Sequence, residues 1–69
     1  MEIRNNFKDN LKNLRLEAGL GQVEFAKCLG VSKGVISLWE NGLREPTMSS
    51  LILISKFFKI SIDELIGIE

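Results

Sequence analysis

Cys28 is the one cysteine of this chain, and histidine is absent from it. A lone thiol closes no internal disulfide, and without histidine it completes no zinc site. The serines have no imidazole to act as their base, and the acids are scattered without a visible pair for proton transfer. These residue types argue against an enzyme, and they imply no metal, no cofactor and no small-molecule ligand. What stands out instead is Lys33-Gly34, directly after Ser32 in the stretch QVEFAKCLGVSKGVISLWENG, residues 22–42. A helix prefers acidic residues in its first turn, and an interior glycine costs about 1 kcal/mol against alanine. Helix stability therefore did not choose Lys33 and Gly34, which points to something outside the helix that they must meet.

The elements that would hold these residues are all helical. Phe7, Leu11, Leu14 and Ala18 fall on one face of a first helix, which Asn5 or Asn6 can cap and Gly19 stops. Lys8, Lys12 and Arg15 form a second stripe on it, which reads most simply as a solvated face. Helix 2 runs from about Gln22 to Leu29 with Phe25, Ala26 and Leu29 inward, and Gly21 is a weak cap for its start. Gly30 suits the left-handed residue beyond a helix end, with Val31 folding back onto Ala26. Ser32 caps helix 3, Lys33 to about Asn41, which Gly42 ends. Two helices joined by so tight a turn must cross steeply, with Ala26 the small residue at the crossing. Val31, Ile36 and Trp39 form the opposing apolar face, which is a helix-turn-helix pattern. Thr47 caps helix 4, Met48 to Phe58, and Ser61 with Glu64 makes a capping box for a short helix 5 ending near Gly67.

Sixty-nine residues, 45% hydrophobic with one proline and six glycines, predict one ordered domain over residues 1–69. Nine basic and nine acidic residues cancel, which argues against binding nucleic acid by bulk charge and leaves room for a local basic surface. The longest apolar run, Leu51 to Ile54, falls far short of the roughly 20 residues of a bilayer span. The start MEIRNNFKDN has no apolar region of a secretory signal, so a cytoplasmic protein with no membrane partner is expected.

Leu14-Arg15, Gln22, Ala26, Leu29-Gly30-Val31-Ser32, Ile36-Ser37, Glu40-Asn41-Gly42, Pro46 and Asp63-Glu64-Leu65 together resemble the Cro/phage-repressor (XRE-like) helix-turn-helix family. The resemblance covers Leu11 to Gly67. It implies a compact, all-α, five-helix, lambda-repressor-like DNA-binding domain with the helix-turn-helix at helices 2 and 3. It also implies a homodimer on a pseudo-palindromic double-stranded DNA operator, with helix 3 in the major groove. Ser32, Lys33, Gly34, Ser37 and Leu38 would then face base edges. Lys33 can reach guanine O6 and N7, Gly34 admits the backbone to the groove, and Leu38 can meet a thymine methyl. Gln22, at the start of helix 2, falls where the family binds a phosphate. Asn41 and Arg44 fall where the family touches the DNA backbone, and Lys12 lies close enough to join them. Asn41 followed by glycine is equally a natural helix stop. By the same resemblance Arg15 and Glu40 form an ion pair that locks helix 1 to helix 3. Trp39 reads as core.

Helix 4 carries more apolar residues than one core face needs. Leu51, Ile54, Ser55 and Phe58 point one way, Leu53 and Phe57 another, and Ile66 and Ile68 follow nearby. Leu53, Phe57, Ile66 and Ile68 are the expected dimer interface. With no second domain in these residues, the expectation is a minimal transcriptional repressor of Cro-like, restriction-controller-like or antitoxin-like type. The alternative is a helical protein-interaction module with weak or no DNA binding. Zero net charge, Gly34 and Leu38 favour that alternative; Gln22, Ser32 and Arg44 oppose it.

Overall fold

The structure, a computed structural model, describes residues 6–67. It is all-α, with the helices in the order α1 (Phe7–Glu17), α2 (Gln22–Leu29), α3 (Lys33–Glu40), α4 (Met48–Phe58) and α5 (Ile62–Ile66). Three helix starts follow the local cap chemistry. Ser32 Oγ accepts from the Val35 amide at 3.2 Å and Thr47 Oγ1 from the Ser50 amide at 3.1 Å. The Ser61 hydroxyl accepts from the Glu64 amide while Glu64 Oε1 accepts from the Ser61 amide, both at 3.0 Å. Of the two expected caps of α1, Asn5 lies outside the described residues and Asn6 makes no such bond. Its backbone is already in the right-handed helical region, at φ −101° and ψ −6°, rather than the extended one that aims a side-chain oxygen at the free amides.

Four helices end in the same turn. The amides of Leu20, Val31, Leu43 and Ile60 reach back five residues to the carbonyls of Arg15, Ala26, Leu38 and Ser55, at 2.9–3.1 Å. The residue before each of these amides is left-handed: Gly19, Gly30, Gly42 and, without the freedom of a glycine, Lys59. The turn after α2 delivers Val31 to the core and sets α3 across α2.

Every helix contributes to that core. Leu11, Phe25, Ile36, Ile54 and Leu65 are fully buried, and Phe7, Ala26, Leu29 and Trp39 complete the cluster. Ala18, expected on the buried face of α1, is exposed, because it stands at the helix end where the chain turns away at Gly19. The end of α5 is tied to α1: Asn10 Nδ2 donates to the Leu65 carbonyl at 3.0 Å. A Cβ at Gly67 would lie 2.7 Å from the Asn6 Cβ, so only glycine fits there.

Candidate nucleic-acid interface

At 100° per residue, Val35, Ile36, Trp39 and Glu40 turn into the domain, and Lys33, Gly34, Ser37, Leu38 and Asn41 share the opposite side of α3. Ser32, Lys33, Gly34 and Asn41 are exposed, and Ser37 and Leu38 are half-buried. Nothing in the fold requires glycine at 34. A Cβ there would meet only the Ser32 Oγ, at an ordinary 3.7 Å, and the backbone is helical. The Ser32 oxygen accepts the cap hydrogen bond and keeps its O–H to donate. Asn41 Nδ2 donates to Ser37 Oγ at 3.3 Å, a bond that uses neither the Ser37 O–H nor the Asn41 side-chain oxygen.

Behind this face stands a buried polar cluster. Arg15 grips Glu40 as a fork, Nε to Oε2 at 2.7 Å and Nη2 to Oε1 at 3.0 Å, and Nη1 donates to the Leu20 carbonyl at 2.9 Å. Both residues are buried. The hydrogen bond to Glu40 raises the Arg15 pKa above its ordinary value, opposed by desolvation and aided by the charge of Glu40. An acid at the last position of α3 opposes the helix dipole, and this cation offsets it.

Gln22 also turns to this cluster, its Nε2 donating to Glu40 Oε1 at 3.1 Å. That leaves its side-chain oxygen and the first-turn amides of α2 for any further partner. Sequence reasoning missed Glu24, whose Oε1 accepts from the Gly21 amide at 2.6 Å and so satisfies the N–H of the cap residue itself, the half of a capping box that needs no side chain on Gly21. A carboxylate therefore sits beside the helix end that the family resemblance assigns to a phosphate. The i to i+3 spacing of Gly21 and Glu24 was the available signal. Lys12 and Arg44 are exposed. Lys8, given no role by the sequence, passes its stem over Gly42, where a Cβ would be 3.1 Å from Lys8 Cδ.

On α4, Leu53 and Phe57, one helical turn apart, are 42% and 39% exposed; Ile52, which sequence reasoning did not single out, is 41% exposed on another side of the helix. Phe57 is only partly free: its ring centroid lies 5.8 Å from that of Phe25 and 5.0 Å from that of Phe58. Ile66, expected on the open surface, is half-buried against the core, because Asn10 and Gly67 hold α5 down on α1. Ile68 lies outside the described residues. Among the described residues no group of acidic or cysteine side chains could hold a metal ion, and no helix is long and apolar enough to cross a membrane.

A short helix set across another by a glycine turn, with a polar outer face locked from behind by an ion pair, defines a helix-turn-helix domain. Residues 11–65 match the model of the family described as helix-turn-helix, and the chain belongs to that family, in its Cro/phage-repressor (XRE-like) form. Over 61 residues it is 46% identical to the HTH-type transcriptional activator BcrR of Enterococcus faecalis, covering 88% of this chain and 30% of that protein. It is 32% identical to the cryptic phage CTXphi transcriptional repressor RstR of Vibrio cholerae, covering 88% of this chain and 55% of that one. The crystal structure of a transcriptional regulator from Listeria innocua superposes with a TM-score of 0.85 at 33% identity, over 91% of this chain and 59% of that one. The chain thus spans 30% and 55% of the two curated relatives. All three are named as transcriptional regulators, one an activator and one a repressor.

Proposed function

We propose that this chain is the DNA-reading domain of a transcriptional regulator that binds a pseudo-palindromic operator as a homodimer, with α3 in the major groove. The carrying observation is the front of α3: Lys33 and Gly34 are exposed, and the fold has room for a Cβ at 34. A residue pair that weakens its own helix with no packing reason is explained by close approach to base edges. Lys33 then pairs with guanine O6 and N7, while Ser32, Ser37 and Leu38 line the rest of the reading face. Gln22, Asn41, Arg44 and Lys12 hold phosphates. Arg15 and Glu40 fix the angle of α3.

Two copies are needed for specificity. The eight residues of α3 make a rod of about 12 Å. That covers only three or four base pairs at about 3.4 Å each. A two-fold pair would read two half-sites about one DNA turn apart. Repression is the simpler sign, since operator occupancy alone achieves it; the relatives include a named activator as well as a named repressor. Residues 1–69 act as one domain in this reading, and the cytoplasm is where its DNA would be met.

Selection of bound duplexes from a random pool tests the reading. The expected result is an enriched motif with two related halves. Lys33→Ala should then relax the preference at one base pair per half-site, by about 1–3 kcal/mol. A folded protein that enriches no duplex would favour the protein-interaction module instead.

A further inference from the structure

We infer that Lys8 is a DNA-backbone contact, supplied by α1 at the far end of the recognition helix. The side chain lies across the turn that ends α3. Its Cδ, Cε and Nζ stand 3.1, 3.8 and 3.9 Å from the point a Gly42 Cβ would occupy. Gly42 is left-handed at φ +73°, so the missing Cβ both permits the turn and opens the track along which the lysine stem runs. A stem packed on backbone with its head in water is a cation held in place rather than one swinging freely. Lys8 is exposed, as are Asn41 on one side of Gly42 and Arg44 two residues beyond. Helix 1 therefore adds a positive charge where the chain leaves α3, beside two residues assigned to phosphate.

The competing role for a lysine at a helix C-terminus is to satisfy that end's carbonyls. Here the turn does so itself. The amides of Asn41, Gly42 and Leu43 bond the carbonyls of Ser37, Trp39 and Leu38, at 3.0, 3.2 and 2.9 Å. The nearest acid on α3, Glu40, is buried and taken by Arg15. Asp9 and Glu17 on α1 and Glu45 after α3 are the other acids of these segments, and all three are exposed in water. A phosphate of the strand passing the end of α3 is the partner that a fixed ammonium at this point fits.

This inference rests on the proposed DNA reading, and the two fail differently. The test uses the full chain on its selected duplex, with affinity measured against salt for the wild type, Lys8→Gln and Arg44→Gln. Each lost phosphate contact lowers the log–log salt slope by about 0.9. Between 50 and 200 mM salt, the wild-type affinity should therefore fall about three- to fourfold more per protomer than that of Lys8→Gln. Arg44→Gln should behave alike. Sequence preference and thermal midpoint should be unchanged in Lys8→Gln. An unchanged slope would overturn the inference, as would a lowered midpoint with the slope intact, since either leaves Lys8 a helix-end residue only. Absence of any selected duplex for the wild type would remove the DNA reading itself, before a variant is made.

Discussion

At the last residue of α3 a carboxylate faces the negative end of its own helix, and Arg15 answers it from α1 with a two-point grip 3.0 Å or shorter. Removing one charge of such a buried pair leaves the other desolvated and unpaired, at a cost of about 3–5 kcal/mol. Glu40→Gln should therefore lose most of the stability of so small a domain, seen as a large drop or loss of the thermal transition. A change under about 1 kcal/mol would describe a solvent-screened pair and a loosely set α3. The pH dependence has a definite sign on the arginine side. Because pairing raises the Arg15 pKa, its contribution is complete below the ordinary arginine range and fades only as pH climbs through the raised value. Gly34 gives a test of the opposite kind. With open space for a Cβ, Gly34→Ala should stabilise the free protein by about 0.5–1 kcal/mol, a few degrees in thermal midpoint, while weakening operator binding. An alanine that raises both stability and affinity would show that the glycine serves no approach to DNA.

Among the elements, the repeated helix-end turn is what sets one helix against the next. Gly19, Gly30 and Gly42 announce three of these turns in the sequence, since only glycine takes the left-handed conformation without cost. The fourth is hidden, because Lys59 is an unfavourable residue for it. It adopts φ 59° because Ile60, the next residue, must return to the core. Left-handed backbone costs a side-chain-bearing residue about 1–2 kcal/mol, so Lys59→Gly should gain roughly 1 kcal/mol. The measurement is the urea midpoint, which should rise with its slope unchanged. The closure of α5 on α1 was equally hidden. It depends on an Asn10 side chain meeting a carbonyl 55 residues away, and helical periodicity says nothing about such a partner.

For the whole molecule, the deciding feature is an apolar surface on α4 that one core leaves uncovered. The domain measures 33 × 24 × 21 Å, so α4 cannot bury its whole circumference inside it. Covering Leu53 and Phe57 with a two-fold mate would remove them from water at about 25 cal/mol per Å². Leu53→Glu is the cleaner probe of this surface, because Phe57 also packs on Phe25 and Phe58 and its loss would disturb the core. The variant should fold, sediment as a monomer and lose operator binding, since one short recognition helix reads too little DNA alone. A folded Leu53→Glu that still sediments as a dimer would place the interface elsewhere.

Sequence alone determined the five helices, three of their caps and the glycine turn between α2 and α3. Each follows from residue spacing and backbone chemistry acting within a few positions of itself. It also marked Lys33 and Gly34 as residues their helix would not choose. Tertiary structure alone decided which surplus apolar residues stay open, turning Ile66 in and leaving Ile52 out. It decided as well that Gln22 joins the buried ion pair and that Lys8 crosses Gly42. Those outcomes depend on how helices far apart in the chain pack together, and side chains that meet only across a packed interface leave no periodic trace along the sequence.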